Sequence, residues 1–552
     1  MRPRSVVRIA AAAAVSLVAA AAIPLSANAE PSDSGCENRN LNRIDKLLEC
    51  VNADDAFEHL EVLQDIADAN GGTRVSGSEG YDQSVDYIAD LLDDAGFDVE
   101  LQVFEFATYA EISSSLVRDG DDLGSDGRAD TMAYSGSGVV SGGNVIPVDL
   151  DLGLGNASTS GCTADDFTGL DFSGPNDIAL IQRGACSFFD KAVNAQTAGA
   201  EGVVIFNQGN TETRKVKLEG TLGEGAIGVV TIPVLDTSYD DGVSLLTATV
   251  VDLSAETESS IEPTENIIAD LPGVNPDNVV MAGAHLDSVP AGPGIQDNGS
   301  GSAAILAIAL ELANNEKYVP QNTLRFAWWG AEESGLIGSF EYFTNAEFGL
   351  LNTPEEVEKI AAYINFDMIA SPNYIYGVYD ADESTFPAPP GVPIPEGSEE
   401  LENLFEAYYS IESIPYEDTE FSGRSDYQVF IQLDIPASGL FTGAEVGKTD
   451  EQAAIWGGTA GDQFDPCYHL ACDTIDNVSA EALETNIDAV AYAVFNLAAT
   501  TEAVNGVPGV DPGGVTPDDV DLDGPQGTFL EGGGGLSPDH DHEHDHDLGD
   551  AA

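Results

Sequence analysis

A chain of 552 residues with 43% apolar content has room for two or three domains and at least one large core, which excludes a wholly disordered protein. Its 96 acidic residues against 19 basic ones give a formal net charge of −77. A surface that negative argues against nucleic acid and anionic membrane as partners, favours solubility and suits high ionic strength, where counterions screen the self-repulsion.

The chain opens on Arg2, Arg4 and Arg8, continues as an uncharged run from Ile9 to Ile23, and reaches Ala27-Asn28-Ala29 just before Glu30. Basic head, apolar middle and small-x-small cleavage site are the parts of an export signal, expected to span residues 1–29. This uncharged run of fifteen residues falls short of the ~20 needed to cross a bilayer. No later stretch is apolar enough to span, so the expectation is a secreted, extracellular protein. Its six cysteines form three sequence-local pairs, Cys36 with Cys50, Cys162 with Cys186 and Cys467 with Cys472. An even count behind an export signal reads as disulfides, whereas a cysteine metal site usually wants C-x-x-C pairs, which this sequence lacks.

Residues 30–53 read as an N-terminal extension or a propeptide. Over 54–108 two helices are predicted from Phe57, Leu60, Leu63 and Ile66 and from Val85, Ile88, Leu91 and Leu92 at helical spacing, with Gly71-Gly72 between them and Gly96 after them. Phe97 to Phe106 then alternates as a half-buried strand does. From 109 to 263 Gly, Ser and Asp rise and turns recur. One helix is expected between Phe188 and Ala200 and a buried strand over Gly202–Phe206, so the segment reads as an inserted β-rich module. Over 264–503 strand and helix alternate: strands end at His285, Trp329 and Phe366, and helices are predicted over Gly301–Leu312 and Ala482–Ala498. Such alternation predicts an α/β sheet with helices on both faces. Over 504–552 Gly, Pro and Asp dominate, and a disordered acidic tail is expected. Its His540, His542, His544 and His546 alternate with acids, which suits either a solubilising end or a binder of divalent ions.

Outside that tail the histidines are His59, His285 and His469. His59 lies in a predicted helix with no site-like neighbours and reads as a packing or surface residue. His285-Leu286-Asp287, Asp297-Asn298, Glu332-Glu333 and Asp367 follow predicted strands, and open α/β sheets bind ligands beyond the carboxyl ends of their strands. Tyr468-His469 lies in the loop between Cys467 and Cys472. Imidazoles and carboxylates are the ligand set of catalytic zinc. Five of them suit two ions if one carboxylate bridges, at the ~3.5–4 Å separation of two-metal hydrolases.

The stretches AGAHLDS, LRFAWWGAEE, YINFDMI, FSGRSD, WGGTAG and DPCYH together resemble the bacterial leucine aminopeptidase family of two-zinc exopeptidases, its secreted branch above all, over roughly residues 56–106 and 264–500. Glutamate carboxypeptidase and the transferrin receptor are its distant relatives. The resemblance implies the zinc exopeptidase fold, a mixed and mostly parallel sheet. It implies His285 and Asp367 on one zinc, Glu333 and His469 on the other, and Asp297 bridging both. Glu332 would be the general base, Tyr468 a hydrogen bond to the oxyanion, and Asp287 the partner that fixes the tautomer of His285. Arg424 and Asp426 resemble a pair near the substrate's N-terminal end. Glu484 and Asp488 resemble a calcium site, with two solvated acids as the alternative. Asn298 and Tyr427 depart from the family pattern, where a second acid and a histidine stand in relatives. Residues 109–263 resemble a protease-associated domain through IALIQRG, Cys186-Ser187-Phe188 and GAEGVVIFN.

The activity so implied is removal of N-terminal residues, large apolar ones such as leucine preferred, from peptides with a free N-terminus, by a monomer. Its rivals are a carboxypeptidase or a glutaminyl cyclase on the same scaffold, and a silent receptor-like binding protein.

Overall fold

The computed structural model describes residues 36, 39–125, 127–315, 317–344, 354–388, 393–517, 520 and 522. The export signal and the histidine-rich run lie outside the described residues. No helix among those described is long and apolar enough to cross a membrane.

Helices α1 (Ala53–Ala69) and α2 (Glu79–Ala95) come first, and bury Leu60, Leu63, Val85, Ile88 and Leu92 in the main core. The side chains of Asn52 and Ser78 cap them by accepting from Asp55 and Tyr81 backbone N–H groups. Gly96, at φ 94°, ends α2 in a left-handed conformation that costs glycine nothing. His59 bridges the two helices through a 2.7 Å hydrogen bond between its Nδ1 and the Tyr87 hydroxyl, and burial lowers its pKa to about 4.

The strands follow as β1 (Asp98–Arg118), β2 (Gly138–Pro147), β3 (Asp177–Gln182), β4 (Gly202–Phe206), β5 (Val234–Thr237), β6 (Val251–Leu271), β7 (Asn275–His285), β8 (Asn322–Trp329), β9 (Ile360–Phe366), β10 (Gly377–Tyr379), β11 (Glu417–Thr419) and β12 (Ala437–Phe441). Their hydrogen-bonded order is β11-β10-β12-β9-β7-β8-β6-β2-β3-β4-β5, with β1 antiparallel on β6. At its centre β12, β9, β7 and β8 are parallel, and β6 joins β8 antiparallel. Helix α3 (Phe188–Ala198) lies between β3 and β4, which pair in parallel with each other and with β2 and β5. Helices α4 (Gly299–Asn314), α5 (Ser398–Glu412) and α6 (Ala480–Ala499) pack with α1 and α2 into the main core. Segments Ile337–Thr344 and Tyr427–Gln432 cover the other face, where Tyr342, Phe343 and Phe430 meet Met281, Trp329 and Tyr363. The inserted module has separate cores around Ile205, Val234 and Met132 and around Leu116, Leu180 and Val204.

Two features differ from the sequence expectation. Strands β1 and β6 form one ribbon that runs through 108/109 and 263/264 and belongs to both domains, β6 pairing with β8 at one end and β2 at the other. Its middle, Ala110–Ser113, is exposed and so carries no apolar alternation to read. The N-terminal extension packs on the catalytic domain: Leu41, Ile44, Leu47 and Val51 lie in the main core. The second correction concerns the tail. Residues 505–515 pack on the catalytic domain, with Asn505 Nδ2 donating to Asn278 Oδ1 and Tyr492 Oη to Val515 O, so disorder does not begin at 504. All three cysteine pairs are disulfides: Cys36–Cys50, Cys162–Cys186 and Cys467–Cys472.

Candidate active site

Strands β9, β7 and β8 are adjacent and parallel, and their apolar runs end together, so the polar residues that follow converge on one sheet edge. His285 closes β7 opposite Trp329 of β8; Glu332 and Glu333 follow β8, and Asp367 follows β9. Asp297 precedes α4, whose first turn is capped by Asn298. His469 comes from the disulfide-closed loop and is exposed, whereas His285 is 1% exposed at the floor. Three of the functional loops turn through a left-handed residue, at Ala331 (φ 53°), Met368 (φ 52°) and His469 (φ 56°). Such conformations are held by surrounding structure and gather at functional sites.

Asp297 stands between two sets of donors. Its Oδ1 is 3.3 Å from His285 Nε2, which is also 3.3 Å from Asp367 Oδ1. Its Oδ2 is 3.4 Å from His469 Nε2, which is 3.1 Å from Glu333 Oε2. Glu332 Oε2 lies farther from His285, at 3.9 Å. By proximity alone Glu332 also closes a triple with His285 and Asp367. The shorter contacts of Asp297 and Asp367 favour these two over Glu332 as the oxygens that share an ion with His285.

The electrostatics of these groups are those of a cluster that wants positive charge. Burial alone would lower the pKa of His285, but Glu332, Asp367, Asp287 and Asp297 raise it well above the usual value. His469 is raised to about 10 against burial, by Asp297 and Glu333. Burial pushes Glu332 up strongly and Glu333 to about 7, with neighbouring carboxylates adding and the histidines opposing. Asp297 is lowered despite burial, because both imidazoles face it. Glu333 Oε1 and Asp367 Oδ1 are buried without a hydrogen-bond partner. Two imidazoles and three carboxylates with free lone pairs are donors of the kind that hold zinc.

Asp287 ties the loops together. Its carboxylate accepts from the backbone N–H of Glu332 at 3.2 Å and of Glu333 at 3.3 Å, and its backbone oxygen lies 3.3 Å from His285 Nδ1. Tyr468 stacks on His469 with ring centroids 3.8 Å apart, and its hydroxyl accepts from Arg424 at 3.1 Å. Arg424 and Asp426 stand apart in role: half-exposed Arg424 binds Glu445 at 2.8 Å, whereas Asp426 is 1% exposed and lies behind Glu332 and Asp367. Burial raises the pKa of Asp426 to about 7. Glu484 accepts from the Ala53 backbone N–H that opens α1, and Asp488 is raised to about 7 by burial with Glu484 and Glu412 beside it.

The two departures from the family pattern have structural uses. Asn298 Nδ2 donates to Phe366 O while its Oδ1 accepts from Gly301 and Met368, a double role that a carboxylate cannot fill. The Tyr427 hydroxyl accepts from Gly423 N–H and holds the loop that carries Arg424.

Three supporting residues escaped the sequence reading. Buried Arg74 donates to Leu286, Pro293 and Gly294 carbonyls, framing the loop between His285 and Asp297. Asp473 accepts from the N–H groups of Gln296 and Asp297 at 2.9 and 3.0 Å. Ser425 donates to Asp367 Oδ2 at 2.6 Å and accepts from Asn365, the end of a chain that starts at Trp329 and passes through Tyr363. Only Ser425, inside FSGRSD, stood within a noticed motif.

Residues 266–494 match peptidase family M28, and residues 143–245 match the PA domain. An aminopeptidase of Pseudomonas aeruginosa is 45% identical over 468 residues, covering 83% of this chain and 83% of that protein. Leucine aminopeptidase 2 of Trichophyton tonsurans is 37% identical over 460 residues, 82% of this chain and 86% of its own length. The solved structure of BSAP, a zinc aminopeptidase from Bacillus subtilis, shares the fold at a TM-score of 0.51, with 23% identity over 80% of this chain and 95% of that one.

Proposed function

The chain belongs to peptidase family M28 and is an aminopeptidase, and from that premise we propose a secreted enzyme that holds two zinc ions and uses Glu332 as its general base. What supports two ions is Asp297, whose two carboxylate oxygens address separate donor sets. His285 and Asp367 would share one zinc with it, and His469 and Glu333 the other. Zinc held there would lower the pKa of a bound water to about 7 and polarise the scissile carbonyl.

The protein's own groups do the rest. Glu332 is buried beside His285, and burial draws its pKa upward; a carboxylate held there would take the proton from the attacking water and return it to the leaving amine. Asp287 positions the base and Glu333 through consecutive backbone N–H groups, so one side chain sets base and ligand against His285. Tyr468, steadied by Arg424, would donate to the oxygen that gains charge as the peptide carbonyl becomes tetrahedral. A site lined by carboxylates suits the substrate's ammonium and repels a terminal carboxylate. Arg424, the cation that a carboxypeptidase would need here, already pairs with Glu445. Preference for leucine finds support in the Trichophyton relative's name.

The test is cleavage of Leu-p-nitroanilide against its N-acetylated form, together with a zinc count. Loss of a charge-assisted contact costs ~1.5–3 kcal/mol, so acetylation is expected to slow cleavage at least roughly tenfold, with zinc near two per chain. Equal rates on both substrates would remove the exopeptidase reading, whatever the metal content.

A further inference from the structure

A second group of carboxylates lies apart from the catalytic centre. Strand β10 runs antiparallel to β12, so the chain carries Asp380 and Asp382 away from the sheet edge that holds His285, Glu332 and Asp367. Glu402 and Glu406, one turn apart on α5, face the same place, and Asp418 reaches it from β11. One oxygen each of Glu402, Glu406 and Asp418 lie within 4.8 Å of one another, as do one each of Asp380, Asp382 and Glu402. Four of the five side chains are buried; Asp382 is exposed. Among the described residues no lysine or arginine forms an ion pair with any of them.

Part of the group is firmly held. Asp380 accepts from Ser384 and Thr385 N–H groups at 2.9 Å, and Glu402 Oε2 accepts from Ala381 and Asp382 at 2.9 Å. Asp418 uses only Oδ2, toward Ser384 and Thr385 hydroxyls. Its Oδ1, on a residue 2% exposed, has no partner. A buried carboxylate oxygen left without a donor costs free energy unless a cation or proton meets it.

We propose that Asp380, Asp382, Glu402, Glu406 and Asp418 form a binding site for a divalent cation, calcium by the chemistry of its donors. The set is all oxygen, without the imidazole or thiolate that zinc prefers, and irregular carboxylate cages suit calcium better than the strict octahedron of magnesium. Burial first, then mutual repulsion, raises Glu402 to about 9, Glu406 to about 7 and Asp380 to about 6, so in the absence of a cation the group retains protons that calcium would displace. The bound ion would clamp β10, α5 and β11 together. From Asp418 the chain continues past Phe421, which stacks on Tyr379, to Arg424 and Ser425, so this clamp would also steady the loop behind Tyr468 and Asp367.

The experiment uses the full secreted chain at constant zinc, melted with and without 10 mM calcium chloride, and titrated with terbium. Tyr416, beside Glu406, is positioned to sensitise terbium emission. Calcium is expected to raise Tm by at least ~2 °C, by mass action on the folded state, and to quench the terbium signal by displacement. Glu402→Gln with Glu406→Gln should abolish both effects, whereas Glu484→Ala with Asp488→Ala should leave the terbium signal in place. Asp382→Asn, at an exposed position where asparagine Oδ1 can still accept from the Ser384 N–H, should weaken calcium at least roughly tenfold with the calcium-free Tm unchanged. Absence of any calcium response in the unmodified chain overturns the proposal, as does undiminished calcium affinity in Asp382→Asn.

Discussion

At the scale of single residues, the proposed chemistry turns on a division between two neighbours, Glu332 and Glu333. Left-handed Ala331 and the paired hold of Asp287 present them differently: Glu333 meets His469 at 3.1 Å, while Glu332 stays 3.9 Å from His285. Glu332→Gln keeps the shape and removes proton acceptance, so turnover should fall by at least ~10² with zinc content unchanged. Unaltered turnover would show that another group is the base. Ser425→Ala should act differently. It frees Asp367 Oδ2 and should weaken zinc retention under dilute chelator more than it alters kcat of the loaded enzyme; partners of ligating groups typically contribute ~10–100-fold in metal affinity. His285, Glu332, Glu333 and Asp367 were legible in the sequence because each ends or closely follows a buried apolar strand. Arg74 and Asp473 were not, since a polar loop residue in so acidic a chain looks like its neighbours until the backbone groups it serves are brought beside it. The carboxylates of residues 380–418 were hidden for the same reason, being divided among two short strands and a helix.

At the scale of elements, helix periodicity located α1 and α2 to within a few residues because each buries one side in a continuous core, whereas α4 and α6 stood out as apolar runs because much of their length is buried all round. Strands β10 and β11, three residues each, are too short to carry any period. The C-terminal tail was misread for a related reason: composition speaks of loops, but single contacts decide whether a loop is bound. Gly513 and Gly514 approach Arg43 and Ile44, while Tyr492 fastens Val515, so the two terminal segments close over α6 together. Truncation after residue 522 should therefore leave turnover and Tm unchanged. Truncation at Asn505 should lower Tm, because it removes the Asn278 and Tyr492 hydrogen bonds, net ~0.5–1.5 kcal/mol each, and uncovers Ile44. Equal melting of the two truncated chains would mean that residues 505–515 add nothing to the fold.

At the scale of the whole molecule, net charge and buried acids act in the same direction on stability. Burial raises Glu402 to about 9 and Glu406, Glu417 and Asp488 to about 7, whereas an unfolded glutamate titrates near ~4.3. Between those values the folded chain binds more protons than the unfolded one. By linkage its stability is then greatest below the unfolded pKa and is lost as pH rises through the folded values. General repulsion among 96 acidic residues has the same sign, since every further ionisation adds to a charge already at −77. Salt separates the two, because raising it from 0.01 to 1 M shortens the Debye length from ~30 to ~3 Å. That screening relieves exposed charges and leaves buried ones nearly untouched. With zinc saturating and calcium absent, Tm is expected to fall between pH 7 and 9. Sodium chloride at 1 M should raise every value but leave part of the slope. That residual slope should shrink in the chain carrying Glu402→Gln and Glu406→Gln, because glutamine does not titrate. Calcium should flatten it in the unmodified chain, since a bound cation keeps the same carboxylates ionised throughout. A residual slope that both the double substitution and calcium leave untouched would place the pH dependence elsewhere in the fold.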